Sequence, residues 1–350
     1  MSVAVVFGAS RGLGLLVAAD LLGRGHRTVI TARDQTELDA AVDQLARDQD
    51  PTMISSMVCD VGNRDQVGEV IRRIEDEVGP IEVCLTVAGV IQVAPAESVT
   101  FEHFDQAIST MLYGPINIAW QVLPSMRERG RGRIGTITSV GGVVSPPHLL
   151  PYSTAKFGAL GFSDGLAASL AGTGITATTV VPGLMRTGSH LRAEFAGDVG
   201  KEYAWFAPAA SVPGLAMDAE RAATKIVQAV LDGKPWLSLT PLTWAATRFR
   251  GAAPATTTRL MGVVNRLLPD GDSDETVQGF QARESLRPGS VARRVVDGLS
   301  TLGNRAARRN NEHPQHRDQP RHAHRPPHPE PGHAEPPHHE PGHHPEPPAH

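Results

Sequence analysis

One pattern limits what this chain can fold into more than any other. From residue 1 to about 240, short β-branched runs alternate with segments of helical period. VAVVF, RTVITA, SSMVCD, EVCLTVA, GRIGTITS, TATTVVP and WLSLT are the strand candidates, and residues 13–24, 35–48, 64–77, 101–128, 153–171 and 218–232 are the helix candidates. Strands that are apolar throughout need cover on both faces, and strands separated by helices run parallel. The expected fold is therefore α/β, a doubly wound parallel sheet with helices on both faces. Ligands of such sheets bind beyond the carboxyl ends of the strands, so function is read from the residues just after each strand.

The first run leads into Gly8, Ala9, Ser10, Arg11, Gly12, Leu13 and Gly14, followed by a helical pattern. Glycines let a backbone approach phosphates, and a helix N-terminus offers them unpaired N–H groups and positive dipole. The spacing GxxxGxG differs from the general GxGxxG fingerprint, so the loop gains its weight from residues further along the chain. The second run ends at Thr31, Ala32, Arg33, where a dinucleotide enzyme reads the ribose 2′ position. An acid there would accept from a free 2′-hydroxyl, whereas Arg33 together with Arg11 favours the 2′-phosphate of NADP(H). Asp34 is the competing acid, and an Arg33 that merely solvates a loop is the plainer alternative.

Ser139 closes the run GRIGTITS, and Tyr152 and Lys156 come next in PYSTAK at the start of a helical segment. The i, i+4 spacing puts tyrosine and lysine on one helix face. A cation there is expected to lower the phenol toward working pH, so that Tyr152 donates a proton to a carbonyl oxygen or removes one from an alcohol. Ser139 would hold that oxygen by a hydrogen bond. Alone, a YxxxK pair is usually a surface pair, and its meaning comes from its company.

Together these residues resemble the short-chain dehydrogenase/reductase family over roughly residues 3 to 240. Gly8, Gly12 and Gly14 match its glycine loop, Asp60 its acid after the third strand, and Thr86, Val87, Ala88, Gly89 its turn after the fourth. Ser139, Tyr152 and Lys156 match its serine, tyrosine and lysine, and Pro182, Gly183 and Thr187 its Pro-Gly segment. The resemblance implies a Rossmann-like domain, nicotinamide chemistry and NADP(H). It also implies Asp60 with its neighbour Val61 near the adenine, Lys156 on the ribose hydroxyls, Thr187 near the carboxamide, and a homodimer or homotetramer. Two residues depart from the family pattern: Phe7 stands where a threonine is usual, and Met111 where an asparagine holds a relay water. A thioether copies that amide poorly, which keeps a non-catalytic NADP-binding sensor as the alternative. A sugar-nucleotide epimerase or dehydratase fits less well, because its glycines are spaced GxxGxxG.

Residues 184–212 bring Leu184, Met185, Leu191, Phe195, Trp205 and Phe206 to the place of a substrate lid, and so favour a largely apolar carbonyl or alcohol. His148 and Tyr203 are the candidate polar contacts, although lone residues of these types more often satisfy local structure. Residues 241–304 form a helical extension, within which 244–267 mixes apolar residues with arginines and reads as a cap, a subunit contact or a peripheral membrane contact. From about 305 the chain is rich in His, Pro, Glu and Gly and is expected to be a disordered tail, with weak divalent metal binding by its histidines as an option. The formal net charge of -4 asks for no nucleic-acid partner. Cys59 and Cys84 sit in runs that read as neighbouring buried strands, which suggests a reducing compartment. With no signal-peptide pattern and no run of roughly 18 apolar residues, the expected location is cytoplasmic.

Overall fold

The computed structural model describes residues 2–211, 216–287 and 290–312. Seven strands, β1 (Val3–Phe7), β2 (Arg27–Ala32), β3 (Ile54–Val58), β4 (Ile81–Thr86), β5 (Gly132–Ile137), β6 (Ile175–Val181) and β7 (Trp236–Ser238), form one sheet. Its order is β7-β6-β5-β4-β1-β2-β3, and every pairing is parallel. The order reverses between β1 and β4, and the crevice opens at their carboxyl ends.

The helices are α1 (Gly12–Gly23), α2 (Gln35–Leu45), α3 (Arg64–Glu77), α4 (Phe101–Ile108), α5 (Gly114–Arg129), α6 (Leu150–Ser169), α7 (Val199–Ala209) and α8 (Ala219–Leu231). Alternate residues of β1 feed two cores. Val3, Val5 and Phe7 pack with Ile71 and Ile74 of α3, Ile118 and Val122 of α5 and Leu166 of α6, while Ala4 and Val6 pack with Leu15, Leu38 and Ile226 of α1, α2 and α8. Both sheet faces are thus covered, which is why the strands read as continuous apolar runs. The single helix expected over 101–128 is interrupted by a π-helical turn, Ser109–Tyr113, that carries Met111.

Cys59 and Cys84 are buried and unpaired, but β3 and β4 are not neighbours, because β1 and β2 lie between them. Strand order depends on how the crossovers wind, and apolar runs do not carry that information.

The chain continues through α9 (Pro241–Ala252), α10 (Pro254–Asn265), α11 (Gly279–Glu284), α12 (Val291–Leu299) and α13 (Thr301–Arg309). Pro254 breaks the 244–267 segment into a two-helix hairpin, with Leu260, Val263 and Leu267 exposed. Ordered structure also runs past the boundary expected near 305, since α13 buries Ala306 and Ala307 and residues 310–312 reach the glycine loop. The His/Pro-rich remainder and its metal option lie outside the described residues. Among the described residues no helix is long and apolar enough to cross a membrane.

Candidate active site

The glycine loop is built by close approach. Gly8 has φ +87°, and a Cβ there would lie 2.5 Å from the backbone of Ala88, so a side chain would push the β1 and β4 turns apart. Gly8 and Ala9 donate their N–H to the Thr31 carbonyl at 2.9 Å each, and Val87 and Ala88 donate to Phe7 O at 2.8 and 3.0 Å. Three strand ends therefore meet at one point, with Ser10, Arg11, Gly12, Leu13 and Gly14 leading into α1 and Gly89 on the opposite wall.

Asp34 belongs to the start of α2. Its carboxylate caps α2, accepting from Glu37 N at 3.0 Å, while Arg33 is exposed. Arg11 is ion-paired with Glu37, which also accepts from Ser10 Oγ at 3.0 Å. Sequence reading missed Glu37, although an acid three residues after a cap is a recognised pattern at helix starts. Asp60 Oδ1 accepts from Gly62 N at 3.0 Å, and Val61 O accepts from Asn117 Nδ2 at 3.0 Å, so both sit in a braced turn after β3.

Ser139 lies just past β5, and Tyr152 and Lys156 lie on the first turns of α6. The Gly141–Gly142 turn brings them together: a Cβ on Gly142 would lie 2.6 Å from Lys156 O, and one on Gly141 2.9 Å from Tyr152 Cε1. Ser139 Oγ accepts from Gly141 N at 3.0 Å and is directed at the Tyr152 phenol. Lys156 is 5% exposed; its Nζ donates to Ile137 O at 2.7 Å and lies 5.9 Å from the Tyr152 ring centroid.

Burial shifts both titrations. Lys156 is pulled down to about 8 because its ammonium is desolvated. Tyr152 is pushed up by burial and pulled back by the Ser139 hydrogen bond. The net direction for the phenol is opposite to the lowering expected from the lysine, whose proton is directed at a backbone carbonyl.

The Pro-Gly segment closes the crevice. Pro182 O accepts from Val140 N at 2.8 Å, Gly183 lies against the hydroxyls of Thr240 and Thr243, and buried Thr187 donates from Oγ1 to Ser189 Oγ at 2.9 Å. Met111 is 1% exposed, in a cluster with Ala107 and Ala155 that packs against Tyr152, and its Sδ faces Gly89.

Of the two readings of His148 and Tyr203, the structure bears out the local one. His148 and Tyr203 are buried. His148 Nδ1 bonds both Glu202 oxygens at 2.9 and 3.0 Å, and Trp205 Nε1 donates to Glu202 at 2.8 Å. Tyr203 packs with Phe195 and Phe206 in a third core cluster. These side chains form a buried cluster of their own, and no hydropathy signal marked Glu202 as the partner of His148.

Comparison with known proteins identifies the family. The family model for the short chain dehydrogenase matches residues 2–194. The chain is 34% identical over 185 residues to acetoacetyl-CoA reductase of Shinella zoogloeoides, covering 53% of this chain and 74% of that protein. It is 31% identical over 182 residues to oxidoreductase BOA17 of Botryotinia fuckeliana, covering 52% of this chain and 65% of that protein, just under two thirds of its length. A crystal structure of an actinorhodin polyketide ketoreductase variant with NADPH superposes with TM-score 0.60 at 27% identity, covering 68% of this chain and 95% of that one. The chain belongs to the short-chain dehydrogenase family. It is an oxidoreductase of that family, acting on CH–OH and C=O groups.

Proposed function

We propose that this chain is an NADP(H)-dependent oxidoreductase that interconverts a carbonyl and a primary or secondary alcohol on a largely apolar substrate. The observation that carries the reading is the meeting of Ser139, Tyr152 and Lys156 beside the glycine loop, with Lys156 Nζ 2.7 Å from Ile137 O and 5.9 Å from the Tyr152 ring.

The residues fit a dinucleotide. The loop's close backbone approach leaves the N-terminus of α1 facing the crevice, and an oxygen-bearing group, the Glu312 carboxyl, already sits against Gly12 there. Gly8, Ser10, Arg11, Gly12, Leu13 and Gly14 would hold the pyrophosphate side, Asp60 and Val61 the adenine side, and Ala88, Gly89, Pro182, Gly183 and Thr187 the nicotinamide side. Exposed Arg33, with Asp34 committed to its helix cap, supports a 2′-phosphate and hence NADP(H) over NAD(H). When bound, the nicotinamide would supply or accept the hydride at the substrate carbon.

The remaining chemistry falls to the chain's side chains. Tyr152 gives its phenolic proton to the carbonyl oxygen in reduction and takes it back in oxidation. The Ser139 oxygen accepts from Gly141 N, so that its O–H, directed at the Tyr152 phenol, can turn to hold the same substrate oxygen. Lys156 commits one of its three donors to Ile137 O and keeps the others for ribose hydroxyls and the phenolate. The apolar surroundings of Tyr152, namely Met111, Ala107, Ala155 and Val90, support an apolar substrate and exclude water from the reacting oxygen.

The test compares oxidation of NADPH and NADH by the protein and by Tyr152→Phe, across apolar ketones, aldehydes, quinones and 3-oxoacyl thioesters. NADPH-selective turnover that falls about 100- to 10,000-fold in the variant is expected, the range for losing a positioned acid. Turnover retained by Tyr152→Phe would refute the assigned acid, and NADH preference would refute the reading of Arg33.

A further inference from the structure

The last described residues do not trail away from the domain; they lie in the crevice. α13 is anchored by a hydrogen bond between His190 Nε2 and Asn304 Oδ1 at 3.0 Å. Beyond it, Gln44 Nε2 donates to Arg309 O at 2.7 Å, Gly12 N donates to Asn310 O at 2.8 Å, and Asn311 Nδ2 donates to Ser10 O at 2.9 Å. The Glu312 carboxylate accepts from the Gly188 amide, while Arg192 Nε donates to Glu312 O at 3.2 Å. Glu312 is 5% exposed. A Cβ added at Gly12 would lie 2.7 Å from Glu312 Oε1, and one at Gly188 2.4 Å from the Ala307 side chain, so the fit is tight on both walls.

These contacts use groups that an anionic ligand needs. The Gly12 amide opens α1, where unpaired N–H groups and the helix dipole favour negative charge. Gly188 comes directly after Thr187 on the facing wall. A backbone carbonyl occupies the first and a carboxylate the second, so the segment presents oxygen atoms where a dinucleotide's pyrophosphate would place its own.

We propose that residues 301–312 form an intramolecular strap that competes with the dinucleotide for the glycine loop, with the Glu312 carboxylate and the Asn310 carbonyl in the place of the pyrophosphate oxygens. The inference rests on the reading of the loop as an NADP(H) site. The Gly12 amide cannot serve strap and pyrophosphate together, so cofactor binding requires release of the strap, and the measured affinity is the intrinsic one reduced by the fraction of molecules in which the strap is open. Glu312 is a replaceable occupant: burial pushes its carboxyl up to about 7, against the pull of the Gly188 amide, Arg11 and Arg192. A pyrophosphate brings more charge to the same amides. The strap's contacts fall on the glycine loop, α2, the Thr187–Arg192 segment, Ser211 and, through Arg309, Glu220 of α8, and none of these reaches Ser139, Tyr152 or Lys156, so its target is the cofactor rather than the Tyr152 chemistry.

The test uses the full-length chain and two full-length variants, Asn311→Ala with Glu312→Ala, and Glu312→Gln alone, which keeps the side chain's shape. NADPH affinity is measured by calorimetry, and hydrogen exchange of residues 301–312 is followed with and without NADPH. The double variant should bind about tenfold tighter, the gain from opening a strap that is closed nine times in ten; Glu312→Gln should fall between it and the parent, and NADPH should speed exchange across 301–312 in the parent. Affinities of both variants within about twofold of the parent, with 301–312 still protected at saturating NADPH, would overturn the strap and leave the proposed function intact. Failure of parent and variants alike to bind NADPH would overturn the loop reading, and the strap proposal with it.

Discussion

Lys156 makes a prediction in which sign and size both come from burial. Its ammonium is held inside the domain on one backbone carbonyl, and desolvation pulls its titration from 10.5 to about 8. At pH values below about 8 the lysine is protonated in folded and unfolded chains alike, and the folded state bears the whole desolvation cost. Between about 8 and 10.5 the folded chain has released the proton while the unfolded chain still binds it, so stability rises with pH across that window. The relief is lost again as pH falls through about 8. At about 1.4 kcal/mol for each pH unit separating the two titrations, the full gain is about 3 kcal/mol. Lys156→Met keeps the buried stem and removes the titration, so other groups cancel when the two proteins are compared. Urea unfolding of both from pH 7 to 10.5 should give a stability difference that moves toward the parent by about 3 kcal/mol over the window, on top of a constant offset for the lost Ile137 bond. A flat difference curve would refute the argument, because it would mean that Lys156 is solvated in the folded protein.

Two further substitutions examine the surroundings of the site. Glu202→Ala removes the acceptor of both His148 and Trp205 in a buried cluster, at about 1 to 3 kcal/mol for each donor left without a partner; a urea midpoint corresponding to a loss under about 1 kcal/mol would show that the two donors find water instead. Met111→Asn buries an amide among Ala107, Ala155 and Tyr152 and should cost about 2 to 4 kcal/mol, whereas Met111→Leu should cost less than about 1.5 kcal/mol. Equal melting temperatures for these two variants would mean that the amide finds a partner in the Gly89 wall.

The chemical core was open to sequence reading because its signals are local. Gly8, Gly12 and Gly14 are required by close backbone approach within one turn, Tyr152 and Lys156 share a helix face by spacing alone, and strands buried on both faces announce a parallel sheet through continuous apolar runs. What the spacing could not say is which way the lysine's proton points. Only the fold shows that it goes to Ile137 O and that burial acts on Tyr152 more strongly than its cationic neighbour.

Everything decided by contacts between distant parts of the chain stayed hidden until the tertiary structure placed them. Cys84 on β4 and Cys59 just past β3 belong to strands that looked adjacent and are separated by two others, because strand order depends on the winding of the crossovers. His148 and Tyr203 carried two readings, a substrate contact or, more often for lone residues of these types, local structure; they are buried, His148 on the Glu202 carboxylate and Tyr203 against Phe195 and Phe206, partners that only the folded chain brings to them. The same reason explains the strap. Residues 305–312 carry little apolar periodicity and read as tail, yet they are held by backbone carbonyls, an asparagine and a glutamate on the glycine loop some 300 positions away. By itself the sequence determined the sheet, the loop and the reactive trio, all of which arise from the period and spacing of neighbouring residues. Tertiary structure decided which buried polar groups meet, because that depends on where the folded chain returns.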